Sequence, residues 1–157
     1  MSTLYLAIDP GKDQGWAVAL DGRLADCGLG IIPSAYDFPD AVIVEHPTLN
    51  RATPAAGQSI VLLAIKVGRL IERYRRSSIY APLPQTWGAT GDDYVRTRVW
   101  HALDARSTVL LNAKLNAKVG GVPASKQHNV FDAVGILLWF CGARPWLRER
   151  VWFDANA

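Results

Sequence analysis

The sequence predicts an α/β fold with a mixed five-stranded sheet flanked by helices, and three observations carry that prediction. The apolar run Leu4–Ile8 is unbroken, which is typical of a strand buried on both faces. Asp21-Gly22 stands between two apolar segments and indicates a tight hairpin turn. Two further strand-like runs, at 41–44 and 78–82, flank an amphipathic helical segment, as expected of parallel strands joined through a helix.

Size and composition indicate one globular unit. Half of the 157 residues are hydrophobic and a fifth are charged, so we expect residues 1–157 to form a single domain. The formal net charge of +3 permits a polyanionic partner, although an ordinary basic surface has the same balance. Cys27 and Cys141 are too few for a zinc site, and we expect both to be free thiols.

No apolar run approaches the ~20 residues of a membrane span. The first residues also lack the charged segment and apolar stretch of a secretory signal. We therefore expect no membrane association and a cytoplasmic location.

The chain opens with a predicted antiparallel meander of three strands, 4–9, 16–20 and 23–32. A long helix from Pro54 or Gln58 to Arg76 follows the fourth strand. Its buried side is predicted to carry Ile60, Leu63, Ala64, Val67, Ile71 and Tyr74, and its polar side Lys66, Arg69, Arg73 and Arg76.

Three segments complete the predicted order. Asp92 is a candidate cap for a helix that runs to about Asp104. Residues 106–126 predict a helix followed by an exposed loop. Residues 129–141 are apolar nearly all round after Asp132, which indicates a buried helix.

Acidic residues stand at the ends of buried elements. Asp9 and Glu45 each end a strand, and Asp132 lies in the first turns of the last helix. Taken singly, each acid also fits a structural role, as a turn former, a surface residue or a helix N-terminal acid. Because a desolvated carboxylate is costly without a cation, and parallel strands end at one edge, the three together predict a divalent metal site. Two such cations ~3.5–4 Å apart can clamp a phosphodiester.

Four segments in order resemble the RuvC family of Holliday-junction resolvases, within the RNase H-like superfamily. They are IDPGKDQGWAVAL, VIVEHP, IYAPLPQTWGATG with the following RTRVWHAL, and HNVFDAVGILLW. The resemblance implies an RNase H-like fold and a crossover junction endodeoxyribonuclease active in DNA recombination and repair. It also implies two Mg²⁺ or Mn²⁺ ions per active site. The compact length is similar to that of phage-borne members.

The resemblance also assigns roles to particular residues. Asp9, Glu45 and Asp132 match the acids that hold the metals. The family has a further ligand one turn before the last acid, where this chain offers His128 or Asn129. We expect His128 to be the catalytic ligand, since neutral imidazole binds metals better than an amide.

Two departures from the family pattern stand out. Gln85, Thr86 and Trp87 follow the fifth strand where the family has a lysine, with Arg96 and Arg98 in the next helix. Thr48 and Leu49 stand where the family has an aromatic side chain at the branch point. Leu49 is the candidate wedge, and the alternatives are Tyr36, Phe38 or no wedge at all.

The expected partners are a four-way DNA junction and a second copy of the chain in a C2 homodimer. The candidate phosphate contacts are Lys12, Arg51, Lys66, Arg69, Arg73, Arg96, Arg98, Lys114, Lys118 and Lys126. In the family the long helix after Glu45 helps to form the dimer, which competes with a DNA-binding role for its basic face.

Two other functions remain open at the level of sequence. An actin-like nucleotide-binding domain has a similar acid and Gly-rich turn at its start, although Gly120-Gly121 is a poor match for its adenosine segment. The second alternative is a catalytically inactive protein that binds branched DNA.

Overall fold

The computed structural model describes residues 2–47, 56–88 and 91–142 of the chain. A five-stranded sheet with the order β3-β2-β1-β4-β5 forms the centre of this part. Its strands are β1 (Leu4–Asp9), β2 (Gly15–Leu20), β3 (Arg23–Leu29), β4 (Ala41–Val44) and β5 (Ser78–Tyr80).

The strand directions confirm the predicted mixed sheet. β1 pairs antiparallel with β2, and β2 pairs antiparallel with β3. β4 pairs parallel with β1 on one side and with β5 on the other. The β2–β3 turn has positive φ at Asp21 (52°) and Gly22 (77°), which is the geometry that a type I′ hairpin requires.

The helices are α1 (Ala56–Arg73), α2 (Pro84–Trp87), α3 (Asp92–Ala102), α4 (Ala105–Asn116) and α5 (Gln127–Phe140). The prediction that Asp92 caps α3 is wrong, because Gly91 occupies the N-cap position and Asp92 is the first residue of the helix. The capping acid is Asp104, whose Oδ1 accepts a hydrogen bond from the Ser107 N–H at the start of α4.

The two faces of the sheet are covered by different helices. Leu6, Ile8 and Val18 point to the face that α1 covers with Val67 and Leu70. The opposite face carries small residues such as Ala7 and Ala17. There α5 packs on β1 and β2 with α3 outside it, and α4 packs beside α5 on β3.

The packed face of α1 agrees with the predicted one at Val67, Ile71 and Tyr74 and differs from it at two positions. Leu70 is buried beside Val67 and Tyr74, whereas Ala64 is exposed. Exposed apolar side chains lie on the far side of α1 instead, at Val61, Leu62 and Ile65. The helix therefore has two apolar stripes, of which only one meets the sheet.

Gly15 sets how closely α5 approaches the sheet. It begins β2, directly opposite Asp9 of β1. A Cβ atom at position 15 would lie 1.9 Å from the Asn129 carbonyl oxygen, so only glycine allows the first turn of α5 to rest here. This contact brings the start of α5 against the end of β1.

None of the helices in the described ranges combines the length and apolar character needed to cross a lipid bilayer. Cys27 and Cys141 are free thiols, as predicted.

We predict that Gly15→Ala lowers the free energy of unfolding by more than about 3 kcal/mol, because either α5 or β2 must move. Gly68→Ala is the matched control, since a Cβ there meets open space on α1 and gains up to about 1 kcal/mol in helix propensity. Urea unfolding followed by circular dichroism measures both. Equal stability of Gly15→Ala and the parent chain would contradict the close approach.

Candidate metal centre

Asp9 is the buried acid at the end of β1, with only 7% of its surface exposed. Its Oδ1 accepts a hydrogen bond of 3.2 Å from the Gly11 N–H, in the turn that follows. Burial raises the pKa of Asp9, while the Gly11 hydrogen bond and the charges of His128 and Lys66 act in the opposite direction. The carboxylate therefore lies in a poorly solvated position.

Glu45 follows β4 directly and lies beside the end of β1. Its backbone N–H donates to the Ile8 carbonyl at 3.1 Å, so the parallel pairing places the two acids on adjacent strands. The side-chain Oε1 accepts a hydrogen bond of 2.9 Å from the Trp87 indole N–H. Burial and the nearby charge of Asp9 raise the pKa of Glu45 to about 7, against the lowering effect of Trp87.

The first turns of α5 supply the remaining predicted ligands. Asn129 is buried, and its Oδ1 lies near the Asp9 carboxylate beside Gly11. A Cβ at Gly11 would lie 3.6 Å from Asn129 Oδ1 and 3.5 Å from Asp9 Oδ1. The Asn129 Nδ2 donates to the Lys126 carbonyl at 3.3 Å. His128 acts electrostatically on Asp9 and Asp13. Asp132 lies half-buried one turn farther along α5.

Two lysines hold the β1–β2 turn in place. Lys66 of α1 donates from Nζ to the Gly11 carbonyl at 2.7 Å, and burial lowers its pKa. Lys126 forms a 2.7 Å ion pair with Asp13, whose pKa it lowers. The turn that carries the Gly11 N–H is thus tied to α1 on one side and to the start of α5 on the other.

Among the described residues, no group of three or more His, Cys, Asp and Glu side chains is arranged to hold a metal ion. The arrangement is instead a pair of carboxylates, Asp9 and Glu45, with the Asn129 amide oxygen near Asp9. Mg²⁺ is usually bound through one or two carboxylates, with waters and substrate phosphates completing its shell. The donor types fit that mode of binding rather than an all-protein cage.

The structure places some of the predicted phosphate contacts beside the acids and the others elsewhere on the surface. Lys12, Lys66, Arg96 and Lys126 lie around the Asp9 turn and the start of α5. Arg73 forms an ion pair with Asp37, and Lys114 forms one with Asp26 at 2.6 Å. Arg98 stacks over the Tyr94 ring, while Arg69 and Lys118 are exposed. Arg51 and the candidate wedge Leu49 lie outside the described residues.

Sequence reasoning missed two neighbours of the acids. Trp87 was noted only for standing where the family has a lysine, yet its N–H contacts Glu45. Lys66 was assigned to the outer face of the long helix, yet it reaches the Gly11 carbonyl. Both contacts join residues more than 40 positions apart, so no local pattern signals them.

We predict that Glu45→Gln is more stable than the parent chain when metal is removed with EDTA, and that this advantage is larger at pH 8 than at pH 5. Because the pKa of Glu45 is raised, folding favours its protonated form, and the parent chain loses stability as pH rises from about 4.5 to 7. One pKa unit corresponds to about 1.4 kcal/mol, so the advantage of Glu45→Gln grows by up to about 3 kcal/mol.

Urea unfolding at several pH values measures this difference. Glu72→Gln, at an exposed position on α1, is the control and changes stability little at either pH. A constant difference between Glu45→Gln and the parent chain from pH 5 to 8 would show that Glu45 is solvated.

Comparison with known proteins supports the fold. No protein-family model and no curated protein sequence matches the chain. The structure is similar to that of Thermus thermophilus RuvC, with a TM-score of 0.50 and 17% identity over 90% of this chain and 98% of that chain. A structure of T. thermophilus RuvC in complex with a Holliday junction substrate gives a TM-score of 0.45 and 18% identity, over 87% and 90% of the chains. The described part of the chain thus has the RNase H-like fold of RuvC, as the resemblance implied.

Proposed function

We propose that this chain is a metal-dependent endonuclease of the RuvC type, which cuts branched DNA at paired sites. The observation that carries the proposal is the pair of desolvated carboxylates, Asp9 and Glu45, on adjacent parallel strands of a RuvC-like fold. Each negative charge raises the free energy of ionising the other carboxylate, and a divalent cation beside them would offset this energy for both. The four sequence segments that resemble the family, in the family's order, support the same function.

In this proposal Asp9 and Glu45 would hold the metal, with the Asn129 amide oxygen beside Asp9. His128 and Asp132 of α5, which the described structure does not bring into one cluster with the two acids, stay candidate further ligands. Two divalent ions held there would supply Lewis-acid chemistry, one by activating the attacking water and the other by stabilising the leaving 3′-oxygen. The Gly11 N–H orients the Asp9 carboxylate, and Lys66 and Lys126 keep the turn that carries it against the two flanking helices.

The cations nearest the acids are the proposed DNA contacts. Lys12 and Lys66 line a groove of about 510 Å³ on the α1 side of the turn. Arg96 and His128 line a smaller cavity of about 180 Å³ between α3 and α5. A strand that crosses Asp9 meets positive charge on both sides, while Arg73 and Lys114, already paired with acids, contribute less.

The outer stripe of α1 supports a homodimer. Val61, Leu62 and Ile65 are 57%, 67% and 48% exposed, and Arg69 and Glu72 continue the same side of the helix. A second copy of the chain is the proposed occupant, because a near-two-fold junction needs two sites related by a two-fold axis. Arg69 then belongs to the dimer interface rather than to the DNA surface.

The actin-like alternative gains no support from the glycine pair. Gly121 sits against the backbone of Ala117, where a Cβ would approach the carbonyl oxygen to 2.3 Å, and Gly120 has a positive φ of 73°. The tight turn after α4 therefore accounts for both glycines. Binding of branched DNA without cleavage is the outcome that would favour the inactive alternative.

We predict that Asp9→Asn lowers the cleavage rate of a synthetic four-way junction in Mg²⁺ by at least about 100-fold, because the metal loses its charged ligand. Asp21→Asn is the matched control. It makes the same change in the β2–β3 turn, where asparagine tolerates the positive φ and still accepts from the Thr3 N–H.

A gel assay with four-way, flap and linear duplex substrates, with and without metal, measures cleavage. Undiminished cutting by Asp9→Asn, or equal cutting of linear duplex, would contradict the proposed function.

We predict that Ile65→Glu converts the dimer to a monomer, since two buried charges would face each other across the interface. Val109→Glu, at a more exposed apolar residue on α4 (69% against 48% for Ile65), leaves the dimer intact. Sedimentation equilibrium measures the mass of each variant. A monomeric parent chain, or a dimeric Ile65→Glu, would rule against this interface.

A further inference from the structure

We propose that Trp87 is a positioning residue, whose indole N–H fixes the Glu45 carboxylate so that its second oxygen faces the metal. This inference rests on the proposed function, because it assigns to Trp87 a role at the same metal site. The geometry that carries it is the 2.9 Å hydrogen bond from Nε1 to Glu45 Oε1, which engages one carboxylate oxygen and leaves Oε2 for an ion.

Trp87 is held rigidly enough for this role. It ends α2 and is 2% exposed. Gly88 closes α2 in the left-handed conformation, with a φ of 91° that favours glycine. The Gly88 carbonyl accepts a hydrogen bond of 3.3 Å from Arg98, which ties the end of α2 to α3. The indole therefore has little freedom to leave Glu45.

Gly135 provides the space for the indole ring. A Cβ atom at this position of α5 would lie 3.0 Å from Cζ3 of Trp87 and 3.4 Å from a methyl carbon of Val95. Cζ3 belongs to the six-membered ring, on the opposite edge of the indole from Nε1. The ring thus spans the distance between α5 and the end of β4, with its apolar edge on Gly135 and its polar edge on Glu45.

Packing of the Trp87 ring alone does not explain why its indole N–H donates to Glu45. The buried indole N–H of Trp87 needs a hydrogen-bond partner, and the half-buried Glu45 carboxylate supplies it. An indole can donate but never accept, so it can hold the ionised carboxylate without competing for a cation. Residues that hydrogen-bond to metal ligands typically change metal affinity by 10–100-fold when they are removed.

Trp16 offers a matched control. It is also a buried tryptophan packed against a glycine, since a Cβ at Gly28 would lie 2.6 Å from its ring. Its indole N–H has no hydrogen-bond partner among the described residues. Trp16→Phe therefore makes the same chemical change as Trp87→Phe without touching a carboxylate.

The first test is Mn²⁺ affinity of the full chain without DNA, measured by electron paramagnetic resonance. Trp87→Phe is expected to weaken binding about 10-fold or more, and Trp16→Phe to change it less than about threefold, although both lose thermal stability. Equal affinity of Trp87→Phe and the parent chain would overturn the inference.

The second test uses the unmodified chain, so it does not depend on whether Trp87→Phe folds. Nitrogen–proton NMR spectra resolve indole N–H signals for the six tryptophans. On addition of Mg²⁺ the Trp87 indole signal should shift and the Trp16 indole signal should not. The Gly11 amide, which donates to Asp9, reports metal binding independently.

The two proposals fail in different ways in this experiment. A shift of the Gly11 amide with a stationary Trp87 indole would overturn the role of Trp87 and leave the metal site standing. Stationary signals at both positions would contradict the metal site and the inference together.

Discussion

The desolvation of two carboxylates at one end of the sheet is the constraint on which the rest of this structure depends. Parallel pairing of β1 and β4 forces Asp9 and Glu45 to adjacent positions, and burial leaves both carboxylates poorly solvated. Such an arrangement costs free energy in the folded chain. The proposed cation is the most direct way for the protein to recover that cost.

Small residues let the supporting elements reach the acids. Gly15 admits the first turn of α5 beside Asp9, and Gly135 admits the Trp87 ring behind Glu45. Because both glycines weaken the elements that contain them, their close contacts must offset the loss. The two lysines at the β1–β2 turn act in the same direction, since they fix the backbone that donates to Asp9. Local stability is thus given up to hold the acids in place.

The sequence predicted the strands of the sheet well and the details of the helices less well. Unbroken apolar runs and the Asp21-Gly22 turn depend on local physics, so the strands and the hairpin were predictable. The buried face of α1 was predictable in part: Val67 and Tyr74 are buried as expected, whereas Leu70 was missed and Ala64 is exposed. The cap at Asp104 was missed because acids near positions 92 and 104 both fit the start of a helix.

At the candidate site, too, the features set by local sequence were predictable and the tertiary contacts were not. Acids at strand ends are visible in the sequence, because strand direction converts position in the chain into position in space. Trp87 and Lys66 are tertiary neighbours of the acids, and nothing in their own segments signals that contact. The fourth ligand also stays a prediction, since both His128 and Asn129 lie at the start of α5 near Asp9.

The most direct test of the account is anomalous X-ray scattering from crystals of the protein soaked in Mn²⁺. We expect a manganese peak beside the carboxylates of Asp9 and Glu45, on the side of the sheet covered by α5. Manganese peaks confined to other acidic residues, with both carboxylates free of metal, would contradict it.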